Sequence, residues 1–390
     1  MAAATQAAAT PVELQSASAP ASRFGQEFEL LVACCKNGNQ PNLLPLLAPD
    51  LNWDRVLASA QHHRVLPALC AALASQNLLP SAIRIRAHKH AWRILHFTVE
   101  LTKIARCFEE GGIPFLAHKG LALARLLYRD PAMRQFGDLD LLVRPQDVPR
   151  ARATLMELGY EPGLRLPPRQ EKSYSRSAYE YVFGLKAERN LVELQWRIVP
   201  RFCSINFDID ALFSRSIQIE LDGLPLRTLG HDDQMLVLCV HAAKHEWAQL
   251  GMLRDIATLA QFDLDWNWIV TEARRLGIQK ILQVSVLAVR ELFAIDLPAA
   301  VQSRSLVRAV ELADTVMSKL QKNHEPNTES VQYFRSQLQT RERWRDQARF
   351  VWRLASTPGV EEWKAVRLPD RFFALYRGVR IARLARRFTT

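Results

Sequence analysis

Residues 138–143 read Asp-Leu-Asp-Leu-Leu-Val. On a strand, successive side chains alternate between faces, so Asp138 and Asp140 project together while Leu139, Leu141 and Val143 enter the core. Two carboxylates roughly 7 Å apart along one strand face can converge on a shared pair of divalent ions; left unpaired they repel. Oxygen ligands of this kind select Mg²⁺ or Mn²⁺ over softer metals. The run Leu191-Val-Glu-Leu-Gln-Trp196 repeats the alternation: Val192, Leu194 and Trp196 face inward, and Glu193, Gln195 and Arg197 outward. If this strand lies beside the first, Glu193 becomes a third carboxylate, able to act as a base or to complete the metal coordination. The same pattern also describes two ordinary solvent-facing strand edges, and Asp-x-Asp alone does not separate the two.

Upstream, Ile113-Pro-Phe-Leu-Ala-His-Lys119-Gly120 runs a strand into a helix that starts near Lys119. A helix start offers free N–H groups and a positive dipole end, Gly120 lets a phosphate approach the backbone, and Lys119 adds a full charge suited to a triphosphate. Downstream, His241 and His245 are spaced i, i+4 and share one helix face. Residue 242 is Ala, where a zinc-protease helix requires Glu. That leaves two readings of the histidine pair, one lining a nucleotide or acceptor pocket and the other structural packing.

These residues need elements to hold them. From about 25 to 110 apolar residues recur at three and four, a helical pattern jointed at Gly38, Pro41 and Pro80. From 111 to 230 short β-prone runs appear at 113–117, 138–143, 179–185 and 191–198, with helix-like stretches at about 119–128 and 146–158. Beyond 231 the pattern is helical again. The expected fold is α+β: a small mixed sheet with helices, flanked by N- and C-terminal helical regions. The expected division is a disordered leader 1–24, a helical region 25–110, a core 111–230 and a helical region 231–390 ending in a basic tail. Asp50, Trp53, Val56, Leu57 and Ala60 align without gaps to Asp263, Trp266, Ile269, Val270 and Ala273, after which Val65 and Leu69 match Ile278 and Leu282. Either one kind of helical hairpin occurs on both sides of the core, or two amphipathic helices are alike by chance.

The 390 residues are 48% hydrophobic and 23% charged, ordinary for a globular protein, and no apolar run approaches the ~20 residues of a bilayer span. The first 24 residues lack the basic start and apolar centre of a secretory signal. The six cysteines show no C-x-x-C spacing, which suits a reducing compartment with most of them in the core, and the expected location is cytoplasmic. The formal charge of +11 is uneven: residues 331–390 hold 14 Lys and Arg against five acids. The body is therefore close to neutral, and nucleic acid is not a favoured substrate. The segment 371–388 sets Arg377, Arg380, Arg383 and Arg387 along one helical side, with Phe372, Phe373, Leu375 and Phe388 largely elsewhere. It reads either as a helix packing on the core or as a contact for anionic lipid or an acidic partner. Trp344, Trp352 and Trp363, just before it, are expected to pack.

Taken in order, Lys119-Gly120, Tyr128, Arg134, Gly137-Asp-x-Asp-x-Leu-Val143, Leu158-Gly-Tyr160 and Val192-Glu-Leu-x-Trp196 resemble the bacterial family of uncharacterised nucleotidyltransferases, within the polymerase-beta-like superfamily. The resemblance covers most of residues 25–300. It implies Asp138 and Asp140 as the metal pair, Glu193 as the third carboxylate and Mg²⁺ or Mn²⁺ as cofactor. It places Lys119 and Gly120 where the superfamily has its phosphate loop. Arg134 either steadies a phosphate or pairs with Asp138, and His245, with Trp247 and Asp255, falls in a region where the family also shows His, Trp and Asp. Two departures stand out: a long separation from Gly120 to Asp138, and Gln195 where the family often carries His. The implied reaction transfers a nucleoside monophosphate from an NTP to an unidentified acceptor, releasing pyrophosphate. The alternatives are a non-catalytic binding or scaffold protein on this fold, or an RNA-modifying member that uses the tail.

Overall fold

A computed structural model describes residues 24–36, 42–185, 188–296, 298, 301, 307–327 and 330–389. The expected leader lies outside the described residues except for Phe24, whose ring packs at a tilt against Phe28. The chain opens with α1 (Gln26–Cys35), α2 (Trp53–His62), α3 (Leu66–Ser75) and the long α4 (Ser81–Glu110). Next come β1 (Phe115–Ala117), α5 (Gly120–Tyr128), β2 (Leu139–Val143), α6 (Val148–Glu157), β3 (Glu161–Pro162), α7 (Pro168–Ser177), β4 (Glu180–Leu185) and β5 (Glu188–Gln195). A short α8 (Ile209–Ser214) leads to the hairpin β6 (Ile217–Leu221) and β7 (Leu224–Thr228). The rest is helical: α9 (His231–Lys244), α10 (Leu250–Leu259), α11 (Trp266–Leu276), α12 (Gln279–Phe293), α13 (Val307–Gln321), α14 (Val331–Gln339), α15 (Trp344–Ser356), α16 (Val360–Ala365) and α17 (Tyr376–Thr389).

The five-stranded sheet runs β1-β2-β5-β4-β3. Only β2 and β5 are parallel; the other pairs are antiparallel. This is the expected α+β architecture, a mixed sheet between helical regions. All five residues of β2 are buried, because both sheet faces are covered. Leu139, Leu141, Val143, Val192 and Leu194 pack with Phe97, Ile104 and Phe108 of α4 and Leu155 of α6. On the opposite face, Leu116 and Leu142 meet Leu212 and Phe213 of α8 and Val237 of α9. The face that alternation assigned to solvent is therefore interior: Asp140 and Gln195 are 4% and 1% exposed.

Both aligned segments form a helical hairpin with the same corner. Asn52 and Asp265, at matching positions, cap α2 and α11 with their side chains. Val65 N–H bonds Ala60 O and Ile278 N–H bonds Ala273 O, closing the two corners alike. The corner residue is left-handed in both, Arg64 at φ 57° and Gly277 at φ 71°. Val56, Ala60, Val65, Leu69, Ile269, Ala273, Ile278 and Leu282 are all buried.

The tail packs through Tyr376 and Leu384, which are buried. Arg380 and Arg383 both meet the fully buried carboxylate of Glu362, at 3.2 and 2.7 Å. Two of the arginines expected to line one side are thus half-buried against the fold, while the side chains of Arg387 and Phe388 lie outside the described residues. Trp363 is buried as expected, but Trp344 and Trp352 are about 70% exposed. The reason is that α15 turns Phe350 and Leu354 inward, and Trp344 and Trp352 lie on its opposite face.

Candidate active site

Parallel pairing of β2 with β5 sets Asp140 directly beside Glu193. Asp138 stands two residues before Asp140, just ahead of β2, near enough that its charge acts on Glu193 and that of Asp140 acts on it. The register joins residues more than fifty positions apart, and the alternation of each strand aims both side chains the same way.

Around them the polar contacts are dense. The Lys119 ammonium pairs with Asp140 Oδ1 and lies 4.0 Å from Glu193 Oε2. Gln195 Nε2 donates to Asp140 Oδ1 at 3.0 Å and to Glu193 Oε2 at 2.8 Å. Gln195 Oε1 is 2.8 Å from His118 Nε2, which donates to it. A fourth carboxylate, Glu180, lies opposite Gln195 in the β4–β5 pair, with Oε2 at 3.5 Å from the same amide nitrogen. Nothing in the sequence marked Glu180 beyond its place in a β-prone run.

The electrostatics follow from burial and crowding. Desolvation, reinforced by the neighbouring Asp140, pushes Asp138 up to about 6 and Glu193 up to about 9. Burial acts on Asp140 in the same sense, but Lys119 and His118 overcome it and hold Asp140 below its ordinary value. Burial, with help from Lys119, lowers His118 to about 4 and holds His241 well below its ordinary value. His245 falls to about 3 through burial and the nearby Lys244, Lys119 and Arg64. The histidines here are neutral donors or acceptors at neutral pH, not cations.

Gly120 begins α5 at φ +50°, and a Cβ there would stand 2.7 Å from the Asp138 carbonyl oxygen. The glycine thus serves a close approach between two backbones, that of the helix start and that of the carboxylate strand. Arg134 does not pair with Asp138. Its Nε donates to Asp255 at 2.8 Å and its Nη1 to Gly120 O at 3.3 Å, while Tyr128 Oη donates to the other Asp255 oxygen at 2.8 Å. Asp255 is thereby a buried anchor that ties α10 to the α5 end. Trp247 is a packing residue, its indole donating to Ser285 Oγ.

A cleft of about 670 Å³ is bordered by Arg64, Gln135, His245 and Gln249, with His62 and Glu325 farther along. A polar cavity of about 30 Å³ at Tyr128, Arg134, His241 and Asp255 shares Arg64, Gln135 and Gln249 with it. Gln135 Oε1 and Gln249 Oε1 are buried and accept no hydrogen bond. His241 and His245 touch, ring centroids 4.8 Å apart. Arg64 was missed by reading motifs. The signal lay in the repeat, where an arginine occupies the left-handed corner that its twin fills with glycine.

Among the described residues no set of three or more His, Cys, Asp or Glu side chains is drawn together tightly enough to hold a metal ion. The donor chemistry nonetheless fits a hard divalent cation: only carboxylate oxygens, crowded enough to raise two of their own pKa values. Residues 49–294, more than half of the chain, match the family of uncharacterised nucleotidyltransferases, and the chain belongs to that family, within the polymerase-beta-like superfamily. The matched region runs from α2 to α12 and so includes both hairpins and the whole sheet. No curated protein and no solved structure matches the chain.

Proposed function

We propose that the protein is a Mg²⁺- or Mn²⁺-dependent nucleotidyltransferase that moves a nucleoside monophosphate from an NTP to an acceptor still to be identified. The observation that carries this reading is the Asp140–Glu193 register across parallel β2 and β5, with Asp138 two residues upstream. In this reading Asp138, Asp140 and Glu193 hold the divalent ion. When bound, that ion supplies Lewis-acid chemistry, lowering the pKa of an acceptor hydroxyl and neutralising charge on departing pyrophosphate.

The remaining work falls to the chain. Arg64 borders the cleft as a cation for the triphosphate, Lys119 stands beside the carboxylates as a second cation, and neutral His245 borders the same cleft as a hydrogen-bonding group. Arg134, fixed by Asp255, keeps the Gly120 turn against β2. An acceptor oxygen attacks the α-phosphorus, the bond to the bridging oxygen breaks, and pyrophosphate carries away the electron pair. Orientation and fixed charge supply most of the acceleration.

The test is calorimetry of the four NTPs with Mg²⁺, comparing wild type with Asp138→Ala/Asp140→Ala. At least one NTP should bind wild type and be lost in the double variant. A folded wild-type protein that binds none of the four would overturn the enzyme reading. That result would favour the second reading, a scaffold on the same fold, for which one observation speaks: Lys119 and Gln195 already partner Asp140 and Glu193 from within the chain.

A further inference from the structure

Lys119 stands where the resemblance put a phosphate-binding residue, yet its ammonium lies on the carboxylates. Its backbone is extended (φ −130°, ψ −154°) at the start of α5, and the next residue, Gly120, packs so near the Asp138 carbonyl that a Cβ would not fit, while its own carbonyl accepts Arg134 Nη1 at 3.3 Å. The main chain cannot move away without breaking that contact. The four-carbon stem can rotate, so the ammonium is a charge on a fixed pivot. It shares Asp140 Oδ1 and approaches Glu193 Oε2, the same two oxygens that Gln195 Nε2 holds. Asp138, Asp140 and Glu193 bring three carboxyl groups to one crowded place, and Lys119 pairs with Asp140 and lies 4.0 Å from Glu193. A divalent ion and an ammonium cannot both sit on Asp140 Oδ1, because two cations at contact distance in a poorly solvated site repel by several kcal/mol. On the cleft side, Lys119 is electrostatically close to His245, which borders the cleft together with Arg64. A triphosphate lying there would offer the displaced ammonium new anionic oxygens.

Resting on the proposed metal–triphosphate site, we infer that Lys119 is a tethered counter-cation. It neutralises Asp140, beside Glu193, until a divalent ion takes the site, and then transfers to the triphosphate. Lys119 thus makes metal binding and triphosphate binding cooperative. The ion alone must displace the lysine without compensation, whereas the ion with a triphosphate gives it a new partner.

The measurement is calorimetric binding of Mn²⁺ alone, and of tripolyphosphate in saturating Mn²⁺, to full-length wild type, Lys119→Met and Lys119→Arg, each first shown to be folded by circular dichroism. Losing the competitor should tighten Mn²⁺ in Lys119→Met by on the order of tenfold, while losing the phosphate partner weakens tripolyphosphate by on the order of tenfold. Lys119→Arg, which keeps the charge, should retain tripolyphosphate binding. Opposite signs are the signature that a purely structural lysine would not produce. If both ligands tighten together, the lysine stays on the carboxylates and the transfer is wrong. An unchanged Mn²⁺ affinity in Lys119→Met shows no competition and overturns it as well. If neither wild type nor Lys119→Met binds Mn²⁺, the metal-site reading beneath it fails too, so the two failures are distinguishable.

Discussion

Glu193 carries a strongly raised ionisation, and that displacement has a consequence for stability. Burial and the neighbouring Asp140 push it up to about 9, so between pH 4.5 and 9 the folded protein keeps a proton that the unfolded chain releases. Stability must fall as pH rises through that window. Asp138, raised to about 6, acts in the same sense only below pH 6. His118 and His245, lowered to about 4 and 3, act oppositely, but only below the ordinary histidine value of 6.5. From pH 7 to 8.5 Glu193 is the member of this group left titrating. In EDTA, the unfolding free energy of wild type should drop over that interval by on the order of 1–2 kcal/mol. Urea unfolding at pH 7.0, 7.75 and 8.5 measures it, and Glu193→Gln should flatten the slope. A different residue-level tension sits at Arg64, left-handed at φ 57° where its twin is Gly277. A non-glycine residue there costs about 1 kcal/mol, so Arg64→Gly should hold or raise the melting temperature. The same change removes a cation bordering the cleft, and tripolyphosphate affinity should fall by on the order of tenfold. A loss of stability with unchanged affinity would make Arg64 a structural residue.

At the scale of elements, the joint between β1, α5 and β2 decides whether the carboxylates and Lys119 can meet. Gly120→Ala places a methyl 2.7 Å from a backbone oxygen at φ +50°, and neither partner is a flexible side-chain end that can yield cheaply. The expected cost is on the order of 2–3 kcal/mol, read by urea denaturation, together with weaker Mn²⁺ binding because Asp138 is pushed aside. An alanine variant as stable as wild type would mean that the joint is slack. Much of this geometry was legible beforehand. The alternation in 138–143 and 191–196 gave the strands and the facing of their acids, since a period of two is a local property. What pattern could not supply was coverage. Gln195 reads as solvent-facing from its own strand, and becomes buried only because other parts of the fold close over that face. Nor could pattern name the partner of Arg134. Asp138 is its neighbour in sequence, but Asp255 arrives from α10, more than a hundred residues on. The strand β5 also starts earlier and ends sooner than its apolar run suggests, at Glu188 and Gln195, because pairing with β4 rather than composition sets its limits. The β6–β7 hairpin, with its half-exposed Ile217, Ile219 and Leu224, carried too mixed a pattern to be singled out.

For the whole molecule, the excess charge is a matter of where it is bound as much as how much there is. Residues 331–390 hold a net +9, and their sequence alone leaves open whether those arginines face outward. In the fold, Glu362 is fully buried and takes Arg380 and Arg383, while its other oxygen accepts the Gly359 N–H at 2.7 Å. Arg380 Nε also donates to Leu354 O, joining α17 to the end of α15. One acid therefore gathers α15, α16 and α17 into a single unit. Because breaking a buried pair from one side leaves the other charges uncompensated, Glu362→Gln should cost this unit about 3 kcal/mol. The sheet and the carboxylate site pack around other residues and should keep their stability. Limited trypsin digestion distinguishes the two: cleavage C-terminal to Ala365 should accelerate at least several-fold, while Mn²⁺ binding stays at the wild-type value. Freed arginines would also raise salt-sensitive binding to vesicles rich in anionic lipid, whose attraction grows with each basic residue near the surface. If Glu362→Gln leaves digestion unchanged, apolar packing through Tyr376 and Leu384 holds the tail and the ion pairs are incidental. If digestion and Mn²⁺ binding change together, the C-terminal helices and the carboxylate site form one cooperative unit, and the tail belongs to the architecture of the site.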